Sequence, residues 1–341
     1  MVIVMSPDAG DTQLAEVVST VETAGGAAFV SRGVTRTIVG VVAGEDVLES
    51  LDVVGLPGVA EVVRITAPYK LVSHENHPRT STVNVGGVPI GPDTVTLIAG
   101  PCAVETPEQT LAAARMAQRA GAALLRGGAY KPRTSPYAFQ GLGVEGLRIL
   151  AEVRAETGLP VVTEVTESKD VDVVAEHADM LQIGTRNMQN FALLQACGSV
   201  GKPVMLKRGL TATYEEWLMA AEYIAQRGNL DIVLCERGVR SFEPAIRNML
   251  DVSAVPMMHA LSHLPIIVDP SHAAGRRDLV VPLARAAIAA GADGVMVDVH
   301  PHPETARCDG PQALTGTELA ALGEAVETLP PLLGRKRTPA L

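Results

Sequence analysis

Aromatic side chains are scarce in this 341-residue chain, which has one Trp, five Tyr and four Phe. With 47% apolar residues, the core must be assembled mainly from Ala, Val, Leu and Ile. That mixture suits parallel strands covered on every side by helices. Positive charge is also in short supply: 28 Lys and Arg stand against 38 Asp and Glu, giving a net charge of −10. This balance argues against nucleic-acid or membrane-surface binding. Four cysteines, Cys102, Cys197, Cys235 and Cys308, are too few and too scattered for a secreted disulfide framework. No run of about 18 uncharged apolar residues occurs, so no transmembrane helix is expected. The opening MVIVMSPDAGDT has a short apolar run and no basic leader, and a signal peptide is not expected either. The expectation is a cytoplasmic protein with reduced thiols.

What is present falls into two regimes. From residue 1 to about 66 the order reads strand, helix, strand, strand, helix, strand. VIVM opens it, Leu14–Val21 is helical, AAFVS and TRTIVGVV flank a turn at Arg32–Gly33, Val47–Leu51 forms a short helix, and VAEVVRI closes it. This is the order of a ferredoxin-like α+β domain. Residues 67–92 read as a polar linker and then a hairpin, VNVGGVPI, that closes the bottom of the larger domain. From 93 to 330 strand and helix alternate eight times. The strands are expected at Val95–Ala99, Ala123–Arg126, Val161–Val165, Met180–Ile183, Val204–Lys207, Ile232–Cys235, Pro265–Val268 and Gly294–Val299. Eight such units in about 240 residues predict a (β/α)8 TIM barrel, with a doubly wound sheet as the alternative. Residues 331–341 read as a loose tail.

In a barrel the chemistry gathers at the C-terminal ends of the strands. Seven cations fall there: Arg126, Lys131, Arg133, Arg186, Lys207, Arg208 and Arg237. Singly, each is an ordinary solvated charge. Together, in an acidic chain, they would make a positive well for small, highly anionic substrates. The Arg forks would grip phosphate and carboxylate at two points. A second set, Cys102, His272, Asp298 and Asp309, offers thiolate, imidazole and two carboxylates at the same rim, a donor set suited to a divalent metal. Such a metal could polarise a carbonyl oxygen. Other signals are weaker. GLGVEG matches a dinucleotide-binding spacing but no strand runs into it. His74 and His77 read as solvated, His300 as an ordinary loop residue or a ligand-orienting one, and Cys308 as packing.

Seven stretches, IAGPCAVET, LRGGAYKPRTSPYAFQGLG, QIGTRNMQN, LKRG, LCERGVR, VDPSHAAGRRD and VHPHPETARCDG, carry a strong resemblance. Together they resemble the 3-deoxy-7-phosphoheptulonate (DAHP) synthase family, in its type Iβ branch with an N-terminal ferredoxin-like regulatory domain. The resemblance implies a transferase that condenses phosphoenolpyruvate with erythrose 4-phosphate, releases phosphate and opens the shikimate pathway. It implies Cys102, His272, Asp298 and Asp309 as metal ligands, with Mn²⁺ expected and Fe²⁺, Co²⁺ and Zn²⁺ as alternatives. Arg126, Lys131, Arg186, Lys207 and Arg237 resemble the phosphoenolpyruvate clamp, and Arg133 with Thr134 the erythrose 4-phosphate site. Lys131, Arg126 and His272 are the implied catalytic residues, Lys131 as donor of a proton to the forming alkoxide. The family usually has Glu where this chain has Asp298, about 1.5 Å shorter. The family further implies a homotetramer and feedback by an aromatic amino acid, Phe or Tyr, bound near Phe29 and Ser31. An apolar Phe29 would favour Phe as effector. The alternatives are 3-deoxy-octulosonate 8-phosphate synthase, whose loop usually reads KANRSS-like rather than KPRT, and a non-catalytic amino-acid-binding regulator.

Overall fold

β-branched residues with period-2 alternation open the chain, and they form the sheet of a first unit. The structure, a computed structural model, describes residues 1–32, 37–63 and 68–339. It divides into two compact units, Met1–Pro68 and Tyr69–Leu341. The first contains β1 (Val2–Met5), α1 (Asp11–Thr23), β2 (Ala27–Arg32), β3 (Thr37–Val42), α2 (Glu45–Ser50) and β4 (Val59–Val63). The strands lie in the order β2-β3-β1-β4, each pair antiparallel, which is the ferredoxin-like arrangement. Ile3 and Met5 point to one face and bury against Val39, Val41 and the α1 stripe Leu14, Val17 and Val21. The expected turn at Arg32–Gly33 has its Gly33 outside the described residues, as do the last two residues of VAEVVRI.

The second unit begins on a segment that corrects the linker reading. Glu222, buried on the barrel wall, accepts the backbone N–H groups of Lys70 (3.0 Å), Leu71 (2.9 Å) and Val72 (3.1 Å). His263 bonds the Ser81 hydroxyl at 2.8 Å and the Leu71 carbonyl at 3.0 Å. The stretch is polar in sequence, yet it lies docked on the barrel by its own backbone groups. Next, β5 (Val83–Val85) and β6 (Val88–Ile90) form an antiparallel hairpin whose Val83, Val85, Val88 and Ile90 are fully buried. They pack on Ile98, Leu124, Val162, Met180, Met205, Val233, Ile267 and Met296, one residue from each barrel strand. The hairpin therefore plugs one end of the barrel.

The barrel strands are β7 (Thr94–Gly100), β8 (Leu124–Arg126), β9 (Val161–Val165), β10 (Met180–Ile183), β11 (Val204–Lys207), β12 (Ile232–Glu236), β13 (Ile266–Val268) and β14 (Gly294–Asp298). Each pairs in parallel with the next, and β14 returns to β7 with Asp298 opposite Gly100, closing the barrel. Between and after them run α3 (Pro107–Arg119), α4 (Val144–Thr157), α5 (Val171–His177), α6 (Phe191–Gly198), α7 (Tyr214–Ala225), α8 (Ala254–Leu261), α9 (Pro270–Ala274), α10 (Arg277–Ala289) and α11 (Gly316–Leu332). The Thr213–Glu216 capping box starts α7, as its spacing predicts. The loose-tail reading needs correction. Helix α11 runs through Pro330 and Pro331 to Leu332, and β15 (Lys336–Arg337) then pairs in parallel with β7. Arg335 ties this end down through the Thr94 carbonyl at 2.6 Å and Asp293 at 2.6 Å.

Candidate active site at the barrel mouth

Strand ends bring the four donor residues together. Cys102 follows β7 by two residues, Asp298 ends β14, His272 sits on α9 after β13, and Asp309 lies in the loop beyond β14. One ligand atom from each falls within 4.8 Å of all the others. Cys102 Sγ is 3.1 Å from Asp309 Oδ2 and 3.7 Å from His272 Nε2. His272 Nε2 is 3.6 Å from Asp298 Oδ2 and 3.7 Å from Asp309 Oδ2. Donors around a tetrahedral ion stand about 3.3–3.8 Å apart, given bonds of about 2.0–2.3 Å. The set therefore fits a divalent ion, with the short carboxylate of Asp298 already inside the cluster. Among the described residues Asp309 is also the one non-glycine in the left-handed region, at φ 52°. Strain of this kind persists where the surroundings hold a residue for function.

Protonation follows from the packing. The Cys308 thiol beside it, burial and the Asp298 carboxylate push the Cys102 thiol well above its usual range. Burial disfavours a charged His272, but the carboxylates of Asp269 and Asp298 together outweigh it and raise the imidazole to about 9. Burial also disfavours ionised Asp309, yet His272 and Arg247 hold its carboxyl below the ordinary range. Lys131 loses charge preference to burial and regains more from the two cysteine sulfurs, so it stays an ammonium.

The cations surround the same opening. Arg126, Lys131, Arg133, Arg186, Lys207 and Arg237 line one cavity together with His272, Cys308 and Asp309. Arg126 donates to Asp298 Oδ1 at 2.7 Å and to the Pro101 carbonyl at 3.0 Å. Lys131 Nζ donates to the Cys102 carbonyl at 2.8 Å and stands 3.1 Å from its sulfur. Lys207 donates to Asp269 Oδ2 at 2.5 Å. Arg186 donates to the Thr134 hydroxyl at 3.1 Å, so the two expected anion sites abut. Arg126 Nε and Arg237 Nη1 are buried polar atoms with no hydrogen-bond partner among the described residues. Buried donors are normally paired, and two orphans at a cationic cavity point to an anionic ligand. At Gly184 on the cavity wall a Cβ would come within 2.0 Å of Glu164 Oε1, so any larger residue there would have to displace the Glu164 carboxylate.

A family description, DAHP synthetase I family, matches residues 70–333, and DAHP synthase ferredoxin-like domain matches residues 1–67. The chain belongs to the DAHP synthetase I family. It is 49% identical to a phospho-2-dehydro-3-deoxyheptonate aldolase of Thermotoga maritima, over 98% of this chain and 99% of that protein. A crystal structure of the phospho-2-dehydro-3-deoxyheptonate aldolase (DAHP synthase) from Thermotoga maritima aligns with a TM-score of 0.80 at 48% identity, covering 98% of both chains. A 2-dehydro-3-deoxyphosphooctonate aldolase of Magnetococcus marinus is 37% identical over 74% of this chain and 93% of its own. The expected DAHP synthase enzyme, the ferredoxin-like unit and the (β/α)8 barrel all hold. Among the described residues no helix is long and apolar enough to cross a membrane.

In this DAHP synthetase I chain two readings of single residues need correction. Arg208 does not face the cavity; it turns outward to Glu236 at 3.0 Å and Asp251 at 2.8 Å, stacked over Tyr214. Cys308 is more than packing, with its sulfur 3.6 Å from Cys102 Sγ and 3.0 Å from Arg133 Nη1. His300 is buried, with Nε2 3.6 Å from Glu105 and Nδ1 accepting the His302 amide. Phe29 and Ser31 sit on β2, both exposed and on one face of the strand. Asp269, the residue directly after β13, has its Oδ2 2.8 Å from His272 Nδ1. Two further neighbours of the four-donor cluster escape a reading of strand ends. Arg247 and Gln312 lie on loops with no local motif, and only folding brings them in.

Proposed function

We propose that this chain condenses phosphoenolpyruvate with erythrose 4-phosphate. C3 of phosphoenolpyruvate forms the new C–C bond to the aldehyde carbon, water adds at C2, and the C2–O bond to phosphate breaks. What supports this most is one conjunction: a Cys-His-Asp-Asp cluster next to a cavity ringed by seven cations, Arg247 among them, two of the seven with orphaned buried donors. Cys102, His272, Asp298 and Asp309 would hold a divalent ion, Mn²⁺ first, and a bound ion supplies Lewis acidity at an aldehyde oxygen. Arg126, Lys131, Arg186, Lys207 and Arg237 would hold the enolpyruvyl phosphate and carboxylate. Arg133 and Thr134 would hold the phosphate of the aldehyde. Lys131, kept protonated beside Cys102, would donate to the alkoxide as it forms. The work of the site is orientation and charge stabilisation rather than covalent catalysis.

The first unit, with Phe29 and Ser31 on one exposed strand face, would bind an aromatic amino acid and inhibit, in a homotetramer. The relatives named for an octulosonate product make arabinose 5-phosphate the competing acceptor. The test is phosphate release from phosphoenolpyruvate with each aldose phosphate, before and after chelation and after Mn²⁺ is restored. Release with erythrose 4-phosphate, abolished by chelator and recovered with Mn²⁺, is expected. Preference for arabinose 5-phosphate overturns the substrate, and full activity without metal overturns the metal.

A further inference from the structure

The two carboxylates of the donor cluster are joined by a bridge of one neutral and one cationic side chain. Gln312 is almost fully buried, at 2% exposure, although it lies on a loop and belongs to no substrate cavity wall. Its Nε2 donates to Asp298 Oδ2 at 2.6 Å, and its Oε1 accepts from Arg247 Nη1 at 3.2 Å. The same Arg247 Nη1 donates to Asp309 Oδ1 at 3.2 Å. We infer that Gln312, oriented by Arg247, is a positioning residue that sets the two carboxylates of the metal cluster relative to each other. The inference rests on the metal reading above.

The chemistry of the side chains leaves little choice of residue here. A carboxylate offers only acceptors and a guanidinium only donors. A side chain spanning the two must donate at one end and accept at the other, and a primary amide does both without charge. Glutamate would place a second anion against Asp298, and lysine a second cation against Arg247. The orientation of the amide is therefore dictated by its partners rather than arbitrary. Asp298 has a particular need of it. Its Oδ1 is taken by Arg126, and its amide is anchored on the Ser271 hydroxyl at 3.1 Å. That leaves Oδ2 as the oxygen facing His272 Nε2, and Gln312 fixes where that oxygen stands. A carboxylate one methylene shorter than glutamate reaches less far, so an error in its direction cannot be recovered by stretching. Partners of this kind around a metal change affinity by about 10–100-fold.

The experiment measures Mn²⁺ binding to the intact metal-free protein, with electron paramagnetic resonance counting the free ion. Gln312→Met keeps the volume and removes both hydrogen-bonding ends; its Mn²⁺ dissociation constant should rise about 10–100-fold. Arg247→Met, at a half-exposed side chain on the cavity rim, should shift affinity in the same direction. The double variant should be no weaker than the poorer single one, because both changes cut the same bridge. In Gln312→Met, whose side chain lies off the cavity wall, KM for either substrate at saturating Mn²⁺ should move less than the metal affinity. Affinity within twofold of wild type in both single variants, or strictly additive losses, overturns the bridge. A wild-type protein that binds no Mn²⁺ overturns the metal reading beneath it.

Discussion

Asp269→Asn is the change in which the electrostatics of the mouth can be read most directly. The side chain is fully buried and faces three groups: Lys207 Nζ at 2.5 Å, His272 Nδ1 at 2.8 Å and the His272 amide at 2.9 Å. Asparagine keeps the shape and the cap on the amide but removes the charge that compensates a buried lysine. Breaking a buried pair in this way costs about 3–5 kcal/mol of stability. A second consequence reaches the metal. Asp269, with Asp298 behind it, raises His272 to about 9 against burial, which favours a protonated imidazole at neutral pH in the metal-free protein. An ion can bind only after that proton and the Cys102 thiol proton leave. Calorimetry in buffers of different ionisation heat should therefore find about two protons released per Mn²⁺ bound near pH 7.5, falling towards one in Asp269→Asn. The sign on stability is fixed by the same shift. A histidine raised in the folded state stabilises below its unfolded value of 6.5, and this contribution disappears as pH rises through about 9. The chelated wild type should lose melting temperature over that interval, at about 1.4 kcal/mol per pKa unit, and the variant should lose less. Unchanged proton release and an unchanged pH slope in Asp269→Asn would refute the reasoning, even if the variant melts earlier.

Glu222→Gln exchanges a carboxylate that accepts three amides for a group with one acceptor and a donor facing another donor. It should cost about 2–4 kcal/mol by urea titration while kcat at saturating substrates stays near wild type. Arg133→Ala should raise the KM for erythrose 4-phosphate far more than that for phosphoenolpyruvate, by an amount worth about 1.5–3 kcal/mol. Arg186→Ala should show the opposite bias, and equal shifts in both constants would remove the division of the anion sites. Deleting residues 1–68 should leave a barrel that turns over but no longer responds to Phe. In the intact enzyme Phe should inhibit more strongly than Tyr, since a tyrosine hydroxyl left unpaired against Phe29 costs about 1–3 kcal/mol. Inhibition by neither removes the regulatory role, and stronger inhibition by Tyr removes the argument from Phe29.

The barrel was legible because its strands are short apolar runs set between capped helices, a pattern written in adjacent residues. Six of the seven rim cations followed from that, since a strand end fixes where the next side chain goes. Arg208 shows where the inference stops. It is adjacent to Lys207, and neighbouring residues at the end of a strand point to opposite sides, so Lys207 enters the mouth while Arg208 turns to Glu236. The docked segment 69–82 was illegible for another reason. Its partners Glu222 and His263 lie far along the chain, and polar backbone looks solvated until they are found.

Charge at the mouth divides by partner. Arg126 is matched by Asp298 and Lys207 by Asp269, and each pair is buried. Such pairs hold their members in place but present little net charge to a ligand. Among the described residues Arg133, Arg186 and Arg237 have no carboxylate in ion-pair reach, and they contact a thiol, a hydroxyl and no protein partner at Arg237 Nη1. Burial lowers the proton affinity of Arg237, which is the cost of keeping a guanidinium ready without a counter-ion. Lys131 likewise contacts the Cys102 carbonyl and sulfur with no carboxylate in ion-pair reach among the described residues, so these four are the cations whose electrostatic requirement an arriving anion would meet. The paired cations give the site its geometry, and the unpaired ones keep it ready for an anionic ligand in a chain that is otherwise acidic.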